Sequence, residues 1–233
     1  MMNLKADNQK PFVCQYCGHG YSRESTLMKH VCEQKRRHLA MDEKHVVIGF
    51  TAFEKFYQLS QNIKGKKTYT EFAKSPFYNA FVKFGSYVNN VKPLYPEQYI
   101  DWVIRSGAKL DQWCRDDLYE KYVIELIYTE PVEVGLQRSV LHMQHWADTN
   151  NSAWNHYFRY VSVNRAVYDV RDGKISPWLI LNSKSGQELL SKMNDEQLAM
   201  LSPVLDPAKW VKKFKTQKSD LSLVKDVVRE ANL

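Results

Sequence analysis

The chain is poor in the residues that interrupt regular structure. It has 9 glycines and 8 prolines among 233 residues, too few for a linker-rich or low-complexity protein, and no internal repeat is visible. No apolar run approaches the roughly 20 residues of a membrane span. The opening MMNLKADNQK holds no apolar stretch of the kind a secretory signal needs. The expectation is a soluble, cytoplasmic protein with no membrane partner. Also missing are a P-loop, a G-x-G-x-x-G turn, a G-x-S-x-G elbow and an H-E-x-x-H pair. No constellation argues for catalysis. A nuclease reading would rest on unassigned carboxylates, and Asp116, Asp117 and Glu120 fall at an expected helix start, where the helix dipole accounts for them.

What is present suffices for a core: 44% of residues are hydrophobic and 13% aromatic. Lys and Arg number 33 against 26 Asp and Glu, a formal net charge of +7. Such a balance favours acidic partners, nucleic acid first and anionic membrane second. It is also common among soluble proteins with neither.

Cysteine is scarce but clustered. Of four, Cys14, Cys17 and Cys32 share one short stretch and Cys114 stands alone. Clustered thiols with nearby histidines, in a chain without a signal, fit a metal site better than a disulfide framework. Cys14-x2-Cys17-x12-His30 supplies three ligands. A tight turn points two sulfurs at one ion, and twelve residues carry the chain through a strand and most of a helix to an inward His. Zinc takes four tetrahedral ligands of this kind.

The apolar positions agree. Phe12 lies two residues before Cys14, Tyr21 four after Cys17, and Leu27 three before His30. The segment thereby resembles the C2H2 zinc fingers, with Tyr21 in the usual Phe place, over about a tenth of the chain. The resemblance implies a ββα fold, a Zn2+ cofactor and folding that depends on the metal. It departs from the family at the fourth ligand. The family gap of three to five residues would end on Gln34, Lys35 or Arg36; the candidates are Cys32, one residue beyond His30, and His38, seven residues beyond. Loop-closure entropy favours Cys32. In a continuous helix residues i and i+2 face apart, so Cys32 can bind only if the helix stops near His30.

In the C2H2 family helix positions −1, 3 and 6 face bases. Counting back from His30 these are Arg23, Thr26 and Lys29, with Lys35, Arg36 and Arg37 following as candidate phosphate contacts and His19 and Lys10 nearby. One finger reads only about 3 base pairs, and lone fingers also bind proteins.

Beyond the finger, EQKRRHLAMDEKH reads as a charged linker or exposed helix. The expected organisation is a zinc finger with basic tail over 1–38, the linker over 39–49 and an all-α multi-helix domain over 50–233. Helix starts are expected at the boxes Thr51/Glu54, Thr68/Glu71, Ser185/Glu188 and Asn194/Gln197, and at Ser75-Pro76, Pro96, Pro131, Ser176-Pro177 and Asp206-Pro207. WLIL, 178–181, reads equally as a strand or a buried helical turn. The six tryptophans are core by default.

Three further features bear on function. His142, His145 and Asp148 share a helix at i, i+3 and i+6, a candidate second metal site but more simply a polar face. Cys114, beside Arg115 and two carboxylates, suits a structural thiol better than a nucleophile. Lys209 to Lys218 is a second basic cluster, with Trp210 and Phe214 four residues apart. It either extends a nucleic-acid surface or buries its aromatics and exposes its lysines.

The combination of HVCEQKRR, FYNAFVKFGSYV, GKISPWLILNSKSGQELL and DPAKWVKKF resembles zinc-finger-bearing proteins of large tailed bacteriophages. That resemblance implies work in a host bacterial cytoplasm, on DNA or in virion assembly. The leading expectation is a DNA-binding accessory protein in transcription, replication or DNA processing. Its finger helix enters the major groove of duplex DNA, and the helical domain supplies a protein contact or further phosphate contacts. The rival is a protein-interaction or phage assembly factor whose finger is a structural clip.

Overall fold

A computed structural model describes residues 10–61 and 65–233. The first nine residues, read above for a signal, lie outside it. The fold is mainly α, with one small sheet near the N-terminus. The chain divides into two compact units, Met1–Arg115 and Asp116–Leu233. The division does not fall at the charged linker: finger, linker and the next four helices all belong to the first unit. No helix among the described residues is long and apolar enough to cross a membrane.

The first unit begins with β1 (Phe12–Val13) and β2 (Gly20–Tyr21), antiparallel with Phe12 opposite Tyr21 and Val13 opposite Gly20. Two short helices follow, α1 (Glu24–Lys29) and α2 (Glu33–Leu39). Then come α3 (Lys44–Gln61), α4 (Tyr69–Lys74), α5 (Tyr78–Val91) and α6 (Pro96–Arg105). Residues 44–49 of the expected linker therefore form the first turns of α3. Its start is not at Thr51, whose hydroxyl instead donates to the Val47 carbonyl one turn back. The apolar residues Val46 and Phe53 already extend a buried stripe toward the N-terminus, so packing carries the helix past the local cap signal.

Helices α3 and α5 cross closely. A Cβ on Gly85 would lie 2.0 Å from the His45 carbonyl oxygen, and one on Gly49 would lie 2.8 Å from that of Phe81. Around the crossing Phe53, Phe72, Phe81, Phe84 and Trp113 are buried, and Phe81 meets Phe53 and Trp113 edge to face, the latter at 5.7 Å. Thr68 and Glu71 form the expected capping box of α4, and Pro96 opens α6, followed past its end by Gly107 at φ +71°. Ser75 ends α4 rather than capping α5, although its Oγ accepts from the Phe77 amide at 3.1 Å.

The second unit comprises α7 (Asp116–Thr129), α8 (Val132–Asn150), α9 (Tyr157–Tyr160), α10 (Val163–Arg171), α11 (Pro177–Ile180), α12 (Lys184–Leu190), α13 (Asp195–Leu201), α14 (Pro207–Thr216) and α15 (Lys218–Ala231). WLIL resolves as helix: α11 is capped by Ser176, opened by Pro177, and buried in all four residues. Asn194 with Gln197 caps α13 reciprocally, and Asp206 caps α14 ahead of Pro207. Ser185 is not a cap. It is buried inside α12, and Ser183 accepts from the Gly186 amide instead. Pro131 is the residue before α8 rather than its first.

Two polar clusters sit among these apolar layers. Arg138 forms a forked pair with buried Glu130 and donates through Nε to the Gly173 carbonyl at 2.6 Å. Asp169, with its side chain 1% exposed, accepts from Tyr157 Oη at 2.8 Å and Arg165 Nε at 2.9 Å, with Lys174 Nζ at 3.3 Å and His142 Nε2 at 2.9 Å.

Candidate metal centre

The metal-binding geometry is built by three local events. First, β1 is followed by Cys14, whose amide donates to the His19 carbonyl at 2.9 Å, while the Gly18 amide returns to the Cys14 carbonyl at 2.8 Å. The turn needs the left-handed conformation of Gly18, φ +72°, and it places Cys14 and Cys17 on one side. The Cys17 amide, helped by that of Tyr16, points at the Cys14 sulfur and holds its thiol below the ordinary cysteine range, against the opposing effect of burial. Second, α1 stops at Lys29. His30 takes an extended conformation, φ −69° and ψ 121°, as the residue ending the helix. Third, the chain turns at Val31 and Cys32 starts α2, its sulfur accepting from the Lys35 amide at 3.4 Å.

The early stop of α1 brings Cys32 to the same point as the other three side chains. The donor atoms of Cys14, Cys17, His30 and Cys32 all lie within 4.8 Å of one another. Cys14 Sγ and Cys32 Sγ are 3.9 Å apart, and Cys17 Sγ and His30 Nε2 are 3.3 Å apart. Ligands at zinc bond lengths in a tetrahedron stand about 3.8 Å apart for sulfur–sulfur and about 3.6 Å for sulfur–nitrogen. Three thiols and an imidazole at these separations are close enough to bind a metal ion, and their softness suits zinc among the common ions.

A fifth residue completes the site. Tyr21 Oη lies 2.7 Å from His30 Nδ1. With the Nδ1 proton donated to the phenol oxygen, Nε2 presents its lone pair toward the sulfurs, the tautomer a metal requires. Sequence reasoning placed Tyr21 in the small apolar core and missed this role. The signal was there: a Tyr stands where the family pattern has Phe.

His38 lies outside the group. Its Nδ1 donates to the Gln34 carbonyl at 2.8 Å, and its ring packs against Tyr16 and Tyr69 at 5.0 and 5.4 Å. Arg37 also faces inward. Its guanidinium donates to the Ala73 carbonyl at 2.7 Å and that of Ser75 at 3.3 Å, pairs with Glu33, and lies 4.3 Å over the Tyr78 ring. Tyr69 returns a hydrogen bond to the Arg37 carbonyl at 2.5 Å. Arg37 therefore satisfies the carbonyls at the end of α4 and is not a free phosphate contact. Lys35 is half-buried with Nζ 3.4 Å from the His30 carbonyl. Arg23, Thr26, Lys29 and Arg36 are exposed, and so are Lys10 and His19.

The other candidates do not assemble into a site. His142 faces Asp169, whereas His145 and Asp148 are exposed, and the three form no metal-donor group among the described residues. Cys114 is half-buried, and burial pushes its thiol up, away from nucleophile character.

No protein-family model matches the chain, and neither a curated protein nor a solved structure matches it.

Proposed function

We propose that Cys14, Cys17, His30 and Cys32 hold one structural zinc ion, and that the module so formed binds duplex DNA as part of a cytoplasmic accessory protein. The observation that carries the zinc reading is the four-donor group within 4.8 Å, closed on all four sides by protein ligands. A closed set is structural rather than catalytic, because no position remains for a water or substrate. Thiolate ligation also favours a reducing compartment.

The DNA reading is supported by what faces outward. Arg23 just before α1, Thr26 and Lys29 on it and Arg36 on α2 are exposed. The side chains of Arg23 and Lys29 suit guanine edges, and Arg36 suits phosphate. A protein contact is the second reading, favoured by Met28 and Val31, which leave 75% and 60% of their surface exposed beside the same residues.

The test is anisotropy with labelled duplexes across a KCl series, for wild type, Arg23→Ala/Lys29→Ala and Arg36→Ala. Contact through α1 gives an affinity that the double variant lowers by about 1–3 kcal/mol per lost base contact, with relaxed sequence preference, whereas Arg36→Ala reduces the salt slope by about 1. An equal slope and affinity in all three proteins would remove the finger from the DNA interface. No binding even at low salt would turn the reading to Met28 and Val31.

A further inference from the structure

A second basic site, in the other unit, emerges from the C-terminal cluster. Helix α14 carries Lys209, Lys212, Lys213 and Lys215 and no acidic residue. Trp210 on its inner face is 1% exposed, stacked on Tyr128 at 5.5 Å and edge-on to Trp178 at the same distance. Anchored this way, the outer face borders a groove of about 420 Å³ lined by Tyr128, Lys209, Lys212, Lys213, Thr216 and Gln217. No carboxylate lines it.

The three lysines are held unequally. Lys213 donates to the Tyr128 carbonyl at 2.7 Å and sits 5.2 and 5.5 Å from the centres of Trp210 and Trp178. It is structural: its ammonium is held in place at the groove floor, where burial lowers its pKa and the charges of Glu130 and Asp220 oppose that. Lys209 Nζ lies 4.7 Å over the Tyr128 ring, and Lys209 and Lys212 are exposed at the rim. Neither is in a salt bridge among the described residues. Two pliable ammonium groups around one fixed ammonium, with no nearby carboxylate in the lining, make a receptor for a multiply charged oxyanion. An apolar ligand would have to desolvate these charges without repaying them. Tyr128 is covered by Lys209 on one side and stacked on Trp210, so the groove offers no open ring for base stacking. What remains is contact with phosphate alone.

We propose that this groove binds the phosphodiester backbone of a nucleic acid without reading its sequence. The proposal goes beyond the finger and stands without it, since the groove belongs to the second unit. If both sites engage one polymer, the second contact is intramolecular and raises the apparent affinity beyond either alone.

The experiment uses the full zinc-loaded chain and compares wild type with Lys209→Gln/Lys212→Gln, which leaves the structural Lys213 in place. Binding to a 20-base-pair duplex and a 20-nucleotide single strand of scrambled sequence is followed from 50 to 300 mM KCl. Two lost phosphate contacts reduce the slope of log K against log salt by about 2 for duplex. At 100 mM KCl the affinity then falls on the order of tenfold or more. Lys209→Arg/Lys212→Arg restores the slope. Unchanged slope and affinity in the Gln variant overturn the proposal, and so does loss of slope that Arg does not restore. Inorganic tripolyphosphate is titrated in parallel by isothermal calorimetry. If it binds at the groove while neither polymer responds to the Gln variant, the ligand is a small polyphosphate and the backbone assignment falls. The variants of Arg23 and Lys29 report on the finger separately, so either site can fail alone.

Discussion

At the scale of single residues, two side chains carry more than their type suggests. Tyr21 packs in the finger and also holds the His30 ring through Nδ1 at 2.7 Å. Groups that hold a ligand ring in this way typically change metal affinity by about 10- to 100-fold. Tyr21→Phe keeps the ring and removes only the hydroxyl. It should therefore weaken zinc by that factor in competition with a chromophoric chelator, while His38→Ala leaves zinc affinity unchanged. A loss with His38→Ala as large as that with Cys32→Ser would sink the ligand assignment.

Asp169 is the second such residue. Burial alone would raise its carboxyl, but His142 close beside it and the Arg165 hydrogen bond outweigh burial and hold it well below the usual carboxylate range. Burial and the Asp169 charge in turn push Tyr157 up, keeping that phenol a donor. Because the folded carboxyl is the stronger acid, it stabilises the fold fully above its unfolded value near 3.9 and loses this effect as pH falls toward its lower folded value. Asp169→Asn leaves His142, Arg165 and Lys174 facing each other without their shared anion, at a cost of about 3–5 kcal/mol at pH 7. The gap to wild type in urea unfolding should narrow at pH 3. A gap equal at both pH values would mean that the charge is immaterial and only shape was lost.

At the scale of elements, close packing between backbones decides what tolerates change. The α3–α5 crossing leaves no room for a Cβ at Gly85. Gly85→Ala raises intrinsic helix propensity by up to about 1 kcal/mol yet must push the two backbones apart. Overpacking of this kind costs typically about 1–3 kcal/mol, and a clash at 2.0 Å with a carbonyl oxygen belongs at the upper end. The net expectation is a lower urea midpoint for Gly85→Ala; a higher midpoint would show that the crossing is looser than drawn.

The same elements show how far local signals reach. Thr68/Glu71, Asn194/Gln197, Pro96 and Asp206-Pro207 mark helix starts that the fold uses, because each signal acts locally: Thr68, Asn194 and Asp206 accept from amides two or three residues on, and Pro96 stands at the first helical position. Thr51/Glu54 and Ser185/Glu188 have the same pattern but lie inside helices, where the burial of Val46 and of Ser185 reflects tertiary packing that no short window contains. The finger was legible in its first three ligands for the reason the caps were: its geometry is local. The choice of Cys32 turned on where α1 ends, which the break at His30 decides. Arg37 looked like a phosphate contact because the carbonyls it caps, those of Ala73 and Ser75, lie 36 and 38 residues away.

At the scale of the whole molecule, the two units differ in what holds them together. The second has a core of buried aromatics and aliphatics, among them Tyr157, Phe158, Trp178 and Trp210, and no metal-donor group among its described residues. The first contains a packed helical core and, at its N-terminal end, a finger in which neither α1 nor α2 buries a residue fully. The proposed zinc is what would hold such a finger together, and in peptide models structural zinc supplies roughly 10–16 kcal/mol. Removing zinc with a chelator should therefore abolish amide protection over residues 12–32 in hydrogen exchange. The loss should extend to α2, whose first residue is anchored through Cys32, and then weakly to the end of α4, where Arg37 caps Ala73 and Ser75. Arg37→Ala with zinc bound should reproduce only that last effect. Protection within α8, α10 and α11 should stay as in the loaded protein, because their burial owes nothing to the ion. Retained protection over 12–32 without metal would refute zinc-dependent folding. Loss that spread through the second unit as well would show that the ion stabilises more than the module that binds it.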